Sequence, residues 1–304
     1  MKKIRYIIEA GIAYILFTLF YILPYKTASN LAGSLGRFLG RNLAASRKAN
    51  RNLRMAFPDL DDEEAHDITL GMWENIGRIM GEYPHLSKLE KKGHLEIINK
   101  ESLDKANASG RPILFMTAHI GNWEVMPFYL NQHLDNPLAL VYRAPNNPWV
   151  NNLLQKLRGQ GTKEQLAKGR QGAKDIIKLI KNGKNVGMLV DQKMNEGIPV
   201  PFFGRHAMTI TSIAQLALRY DCIILPAYCQ RKENKTDFRI IIEDEFKPIK
   251  TGVLAKDIEA TMRLVNEKME GWIKQNPEQW LWLHRRWPKK DDPYKNPKEQ
   301  KDVA

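Results

Sequence analysis

The chain of 304 residues contains only two cysteines, Cys222 and Cys229. They flank a segment with the character of a strand, and seven steps along a strand cover about 23 Å, far beyond disulfide reach. No paired Cys/His spacing typical of a zinc site occurs. We therefore expect no disulfide and no metal site, and the cysteines indicate a reducing compartment.

Several well-known catalytic motifs are also absent. The sequence has no Walker A loop, no G-x-S-x-G nucleophile elbow and no H-E-x-x-H pair. The run Gly159-Gln160-Gly161 begins like a nucleotide-binding loop, but no third glycine follows in register. We expect no cofactor, and no residue stands out as a protein nucleophile.

Positive charge is in clear excess. The chain has 47 Lys and Arg against 34 Asp and Glu, a net charge of +13, whereas its hydrophobic content of 43% is ordinary. Such an excess implies an acidic partner, and the candidates are nucleic acid, an anionic membrane, a phosphorylated substrate and an acidic carrier protein. The length allows one large α/β domain or two small ones.

The N-terminal segment Tyr6–Leu23 is nearly all apolar, with Glu9 its one charge. Its roughly 18 residues are close to the minimum for a helix that spans a bilayer. A signal peptide is the competing interpretation, but no small-residue cleavage site follows. We predict a membrane anchor, either spanning, re-entrant or interfacial. The excess of Lys and Arg after it places the bulk of the chain on the cytoplasmic side.

Residues Ala28–Met55 carry apolar and basic positions at helical spacing. Such a helix either packs on its own domain or lies on anionic lipid. Both interpretations stay open at this stage.

The segment around His119 has the pattern of a catalytic site. Ile113–Ala118 predicts a buried strand and Trp123–Leu134 a helix, so His119 follows the carboxyl end of the strand. Glu124, in the first helical turn, is expected to accept the Nδ1 proton of His119 and leave Nε2 as the base. The alternative is a core or capping histidine beside a solvated acid.

Other polar residues follow predicted strands or helices. Leu138–Tyr142 ends at Arg143, and Val186–Val190 ends at the pair Asp191-Gln192. Because strands of a parallel sheet end at one edge, we expect these side chains to share a site with His119. Arg158, at the end of a predicted helix, is a further candidate.

The alternation of strands and helices predicts an α/β fold, with a mixed, mostly parallel central sheet flanked by helices. The expected domains are an anchor (1–25), an α/β domain (26–288) and a charged, disordered tail (289–304). Four further expectations concern single segments: an edge strand at Leu95–Ile98, a polar connection at Lys163–Arg170, a rigid apolar loop at Pro199–Gly204, and a helix from Thr209 to Tyr220 capped by Thr209.

The ordered motifs of the chain resemble one family. His119 and Glu124 match the H-x4-D/E motif of the lysophospholipid acyltransferase superfamily, and further motifs are similar to the bacterial late acyltransferases of lipid A biosynthesis. The matching motifs are Asn52-Leu53-x-x-Ala56-Phe57-Pro58, Val141-Tyr142-Arg143 with Asn147-Pro148, Gly187-x-Leu189-x-Asp191-Gln192, Val200-Pro201-Phe202-Phe203-Gly204, and Glu278-Gln279-Trp280-Leu281-Trp282-x-His284-Arg285-Arg286-Trp287.

This resemblance implies an inner-membrane O-acyltransferase that moves a fatty acyl chain from an acyl carrier protein thioester to a hydroxyl of a lipid A precursor. His119 would be the general base and Glu124 its partner. Arg143, Arg158, Asp191 and Gln192 would line the polar site, and Phe203 is as much a core residue as a wall for the acyl chain. The partners would be the carrier protein, the anionic glycolipid and membrane lipid, without nucleic acid.

Two rival functions remain. A sister acyltransferase of the same superfamily would act on a lysophospholipid or another glycolipid. A membrane-tethered protein without catalysis would bind polyanions, and its binding would fall steeply with salt.

Overall fold

The computed structural model describes residues 2–142, 144–162, 164–167 and 169–288. Arg143 and the predicted tail, residues 289–304, lie outside the described residues. The helices are α1 (Lys2–Ile22), α2 (Tyr25–Gly40), α3 (Ala44–Ala56), α4 (Asp62–Glu82), α5 (Lys100–Ala108), α6 (Val125–His133), α7 (Pro148–Arg158), α8 (Arg170–Lys181), α9 (Ser212–Arg219) and α10 (Leu254–Gln275).

A seven-stranded sheet forms the centre of the molecule. The strands of the chain are β1 (Leu95–Ile98), β2 (Ile113–Thr117), β3 (Leu138–Tyr142), β4 (Gln165–Ala167), β5 (Asn185–Leu189), β6 (Lys193–Phe202), β7 (Arg205–Thr209), β8 (Ile223–Arg231) and β9 (Phe238–Ile242). The sheet order is β1-β9-β8-β2-β5-β3-β4, and only β8 and β9 pair antiparallel, while β6 and β7 form a separate hairpin. The predicted mixed, mostly parallel α/β fold is confirmed.

Strand β2 lies in the middle of this sheet, between β5 and β8. Four of its five residues are buried, as expected for a continuous apolar run covered by helices on both faces. Its carboxyl end therefore opens at the centre of the sheet, where ligands bind in open α/β folds.

Three predictions about segments need correction. The connection Lys163–Arg170 contains β4, which completes one edge of the sheet through pairing with β3. The predicted loop Pro199–Gly204 is the hairpin β6–β7, whose turn residues Phe203 and Gly204 have φ of 49° and 69°. Such positive angles at both positions make a tight two-residue turn. Thr209 ends β7 and caps no helix, since α9 begins at Ser212.

Helices α2 and α4 pack face to face with almost no side chains between them. A Cβ on Gly36 would lie 2.4 Å from the Trp73 carbonyl oxygen, and one on Gly77 would lie 2.2 Å from that of Ala32. Only glycine permits this approach. The small residues of α2 therefore face α4, and its larger apolar residues point away from the protein.

Helix α1 is long and apolar enough to cross a membrane, by length and composition. It nevertheless lies along the α/β domain. The Asn147 side chain donates to the Tyr6 carbonyl (2.8 Å), and Phe17 packs edge-on against Tyr83, with ring centroids 5.8 Å apart. One face of α1 therefore contacts the domain while most of its surface is exposed.

Candidate active site

His119 follows β2 and forms a hydrogen-bonded pair with Asp191, which follows β5. The His119 Nδ1 atom is 2.8 Å from one carboxylate oxygen, and the His119 backbone N–H donates to the other at 2.8 Å. The carboxylate thus fixes both the ring and the backbone of the histidine. Both residues are buried.

The register of the sheet explains why the two residues meet. Strands β2 and β5 are parallel neighbours, and Thr117 pairs with Leu189. His119 and Asp191 each stand two positions beyond this pair, so they leave the sheet side by side at the same edge. The ends of β2 and β5 thus bring Asp191 to His119, while Arg143, predicted to share this site, lies outside the described residues.

Asp191 is held in its ionised form. Burial raises the pKa of a carboxyl group, but the charge and hydrogen bonds of His119 and a 2.8 Å hydrogen bond from the Trp280 indole lower the pKa of Asp191 to about 2. An ionised carboxylate only accepts hydrogen bonds, so the proton between the pair belongs to Nδ1 of His119. In the neutral form of the ring, Nε2 therefore carries the lone pair.

The Nε2 side of His119 faces polar and aromatic groups. The Gln192 amide nitrogen lies 3.4 Å from Nε2, a long contact that an incoming hydroxyl group would replace. The rings of Trp123 and His284 lie 5.0 and 6.1 Å from the imidazole, measured between centroids.

The predicted contact between Glu124 and His119 is wrong. Both carboxylate oxygens of Glu124 are bound by other groups: Arg158 donates to each of them, and the Tyr83 hydroxyl donates at 3.0 Å. Glu124 directly precedes α6, and its side chain contacts Arg158 at the end of α7, whereas Nδ1 of His119 contacts Asp191. Closeness in sequence to His119 was therefore not enough to identify the carboxylate that contacts its Nδ1 atom.

Glu124, Arg158 and Tyr83 form a buried polar cluster. Burial alone would lower the pKa of Arg158, but the hydrogen bonds and charge of Glu124 raise it above its usual value. The pKa of the Tyr83 hydroxyl is raised well above its usual value by burial and by the Glu124 charge. Arg158 thus stays protonated and Tyr83 stays neutral near neutral pH.

An apolar cavity of about 60 Å³ adjoins this cluster. Trp123 lines it while also contacting His119, so the cavity begins beside the histidine. It is smaller than ligand pockets of roughly 300–1,000 Å³, and a long apolar ligand would have to push its side chains apart. Its walls comprise Phe115, Thr117, Trp123, Glu124, Met126, Pro127, Leu130, Leu138, Leu140, Val141, Tyr142, Arg158, Gln165, Gly187 and Leu189.

A buried ion pair supports the loop that carries His119, and no motif or spacing predicted it. Arg231 pairs with Glu82, and the same carboxylate accepts hydrogen bonds from the Asn122 side chain at 2.8 Å and from the Ser29 hydroxyl at 2.7 Å. The Gly121 N–H donates to the Gln279 carbonyl at 3.1 Å, so it is not free to bind a substrate oxygen. Trp280, which donates to Asp191, was not among the residues predicted to line the site; its place in a matching motif was the available signal.

Two other candidates lie away from the cavity. Phe203 sits in the β6–β7 turn, where it packs on Phe57 with ring centroids 5.2 Å apart, and it is absent from the cavity wall. Arg286, which belongs to the last of the matching motifs, is buried over the Phe202 ring and donates to the Met208 carbonyl at 2.9 Å. Both side chains stabilise the protein core.

Among the described residues, no group of three or more His, Cys, Asp or Glu side chains is placed to hold a metal ion. Cys222 and Cys229 are both buried and form no disulfide. The pair His119–Asp191 stands beside the apolar cavity.

The fold and this pair define an α/β protein with a histidine–carboxylate pair at adjacent strand ends. The sequence profile of the family described as "Bacterial lipid A biosynthesis acyltransferase" matches residues 1–289, so the chain belongs to that family. Membership supports acyl transfer as its activity and a lipid A-type glycolipid as its acceptor. Together with α1, it also indicates membrane association.

Curated relatives agree with this assignment. The lipid A biosynthesis lauroyltransferase of Escherichia coli is 26% identical, with 87% of this chain and 86% of the relative covered. The lipid A biosynthesis acyltransferase of Haemophilus influenzae and the myristoyltransferase of Escherichia coli are each 24% identical, with 90% of this chain and 85% of the relative covered.

Among solved structures, the 1-acyl-sn-glycerophosphate acyltransferase PlsC of Thermotoga maritima is similar at 13% identity and a TM-score of 0.38, covering 89% of this chain and 98% of that one.

Proposed function

We propose that the protein transfers a fatty acyl chain from an acyl carrier protein thioester to a hydroxyl group of a lipid A precursor, with His119 as general base and Asp191 as the carboxylate that orients it. The observation that carries this proposal is the 2.8 Å contact between Nδ1 of His119 and Asp191 beside an apolar cavity. The family supports the acceptor class, and the donor and the mechanism are our proposal.

In the first step, Nε2 of His119 takes the proton of the acceptor hydroxyl as its oxygen attacks the thioester carbonyl carbon. The new C–O bond gives a tetrahedral oxyanion, which collapses with cleavage of the C–S bond. The imidazolium then returns its proton to the leaving thiolate. Asp191 stabilises the positive charge on the ring through Nδ1, and no acyl-enzyme forms.

The oxyanion requires hydrogen-bond donors that are not already used. The Gln192 amide meets this condition, because its contact with Nε2 is long and an incoming hydroxyl displaces it. Arg158 is less suitable, since Glu124 already binds its guanidinium. We assign the binding of the oxyanion to Gln192. To the Glu124–Arg158 pair we assign the positioning of the substrate at the mouth of the cavity.

The apolar cavity would receive the acyl chain. Its walls come from β2, β3, β5 and α6, and Trp123 connects them to His119. A chain that enters here places its thioester carbonyl near Nε2. The mechanism needs no cofactor beyond the thioester itself.

The net charge of +13 suits the acidic carrier protein and the anionic acceptor. The cation-rich sequence after α1 favours a catalytic domain on the cytoplasmic side of the inner membrane.

The decisive experiment measures acyl transfer to purified lipid A precursor in detergent, with wild type and His119→Ala. Acyl carrier protein thioesters and coenzyme A thioesters are compared as donors. We expect transfer with the carrier-bound donor and a loss of about 10²–10⁴-fold in the variant. His94→Ala is a matched control. His94 pairs with Asp237 at a distance of 2.7 Å, and neither residue lines the cavity.

Three other results would contradict the proposed function or a part of it. Equal transfer by wild type and His119→Ala contradicts the site. Transfer to a lysophospholipid but not to the lipid A precursor contradicts the acceptor. No transfer to any acceptor, with salt-sensitive binding of nucleic acid, supports the non-catalytic alternative.

A further inference from the structure

A second cavity, of about 400 Å³, lies between α3 and the first half of α4. It is strongly basic, because four arginines and one histidine line it and none of the described lining residues is acidic. Its lining residues are Arg41, Ser46, Arg47, Asn50, Arg51, Arg54, His66, Thr69 and Leu70.

The arginines come from two parts of the chain. Arg41 follows α2, whereas the other three occupy successive turns of α3, at positions 47, 51 and 54. Asp62, which is almost fully exposed, pairs with Arg54 at the edge of the cavity. Guanidinium groups that converge on a concave surface suit a phosphate group, which they bind through paired hydrogen bonds.

Thr69 supplies an independent indication of a ligand. Its side chain lines the cavity, the residue is only 4% exposed, and its hydroxyl has no hydrogen-bond partner in the part of the chain that is described. A threonine within a helix usually donates to the carbonyl four residues earlier. A buried hydroxyl without a partner costs free energy, and a phosphate oxygen would remove that cost.

The surroundings of the cavity favour a lipid over free phosphate. Five large apolar side chains on the outer face of α2 and just after it are 43–60% exposed. Along the chain they lie between α1 and the arginines of α3, and the Arg41 guanidinium lies over the Phe38 ring. The five residues are Leu31, Leu35, Phe38, Leu39 and Leu43.

We propose that the arginine cavity binds the phosphate headgroup of an anionic membrane lipid, while the exposed apolar face of α2 contacts its acyl chains. The site is separate from the apolar cavity beside His119, as the two share no lining residue. It would hold the α2–α3 surface against the membrane without taking part in the reaction.

The test measures lipid binding by the full chain in a neutral detergent, without any acyl donor. Short-chain phosphatidic acid, short-chain phosphatidylcholine and inorganic phosphate are titrated separately by calorimetry. We expect phosphatidic acid to bind at least tenfold more tightly than the other two. Arg47→Gln should weaken it by about tenfold, as expected for one charged hydrogen bond. Thr69→Val should weaken it severalfold without lowering the melting temperature.

Lys256→Gln is the matched control, since it removes one positive charge from an exposed position on α10. Its binding should equal that of the wild type. Equal affinities of Arg47→Gln and Lys256→Gln would overturn the site, and so would unchanged binding by Thr69→Val. Inorganic phosphate binding as tightly as phosphatidic acid would overturn the lipid assignment. Because no acyl transfer is measured, these results do not depend on the proposed reaction.

Discussion

Two buried carboxylates lie near His119, and they differ in what they bind. Asp191 accepts hydrogen bonds from the imidazole, the His119 backbone and the Trp280 indole. Glu124 accepts from a guanidinium and a phenol. Glu124 is five positions from the histidine in sequence and Asp191 is 72 positions away, yet Asp191 makes the contact.

This difference shows what positions a catalytic carboxylate in a parallel sheet. Paired strands fix the distance between their ends, so residues at equal offsets meet without further constraint. A residue at the start of the next helix is directed by the helix instead. We therefore assign the orientation of the base to Asp191 and the shaping of the cavity mouth to Glu124.

The largest expected effect separates the two carboxylates directly. Asp191→Asn keeps the shape but removes the charge that stabilises protonated His119, so transfer should fall on the order of 10³-fold. The fall should appear in kcat more than in KM. Asp237→Asn, in the other histidine–carboxylate pair, should keep near wild-type transfer. Full activity of Asp191→Asn would return the orienting role to Glu124.

The second prediction treats Glu124 and Arg158 as one unit. Each of Glu124→Gln and Arg158→Gln leaves a buried partner without its counter-charge, so each should lower transfer by about 10–100-fold and reduce stability. The double variant should lose no more than the worse single variant, because the second change then removes nothing further. A double-mutant cycle of initial rates and melting temperatures measures this. Additive losses would mean that the two residues act separately.

The third prediction concerns acid stability. The pKa of Asp191 is lowered to about 2 from a usual value of 3.8, so its stabilising contribution is complete above about pH 4 and is lost as pH falls through about 2. The shift corresponds to a contribution of about 2 kcal/mol to the free energy of unfolding. Unfolding of Asp191→Asn in neutral detergent should therefore depend less on pH between 4 and 2 than that of the wild type. Identical pH dependence in both proteins would contradict the low pKa of Asp191.

The smallest expected effect concerns the apolar cavity. Gly187 lines it, and a Cβ at this position would lie 3.0 Å from a Leu140 methyl group, so Gly187→Val narrows the cavity with a small side-chain adjustment. Transfer of a long acyl chain should fall by about tenfold relative to a short one, as expected for one or two methylene groups. The long-chain and short-chain rates are measured with the same protein, so their ratio needs no separate control variant. An unchanged ratio would place the acyl chain elsewhere.

Much of the fold could be predicted from periodicity. The apolar run Ile113–Ala118 and the apolar segment before Asp191 became adjacent parallel strands, and the edge position of β1 was also correct. Motif order likewise indicated the family that the profile confirmed. These features depend on local patterns, which are visible in one sequence.

The errors arose where tertiary pairing overrides local pattern. Residues 165–167 look like a polar connection but become a strand because β3 offers them an open edge. Phe203 looks like part of an apolar loop, yet it occupies a tight turn between two paired strands. In each case the partner segment, which local sequence does not reveal, decides the structure.

By itself, the sequence determined His119 as the candidate base, the apolar helix α1 and the strand-end setting of the candidate site, because each follows from residue type and short-range spacing. Only the tertiary structure decided which carboxylate orients the base, since strand register across 72 positions brings Asp191 to Nδ1 while Arg158 and Tyr83 bind Glu124. The tertiary structure also placed four arginines and the Thr69 hydroxyl around one cavity, because α3 packs on α4. This hydroxyl has no hydrogen-bond partner among the described residues.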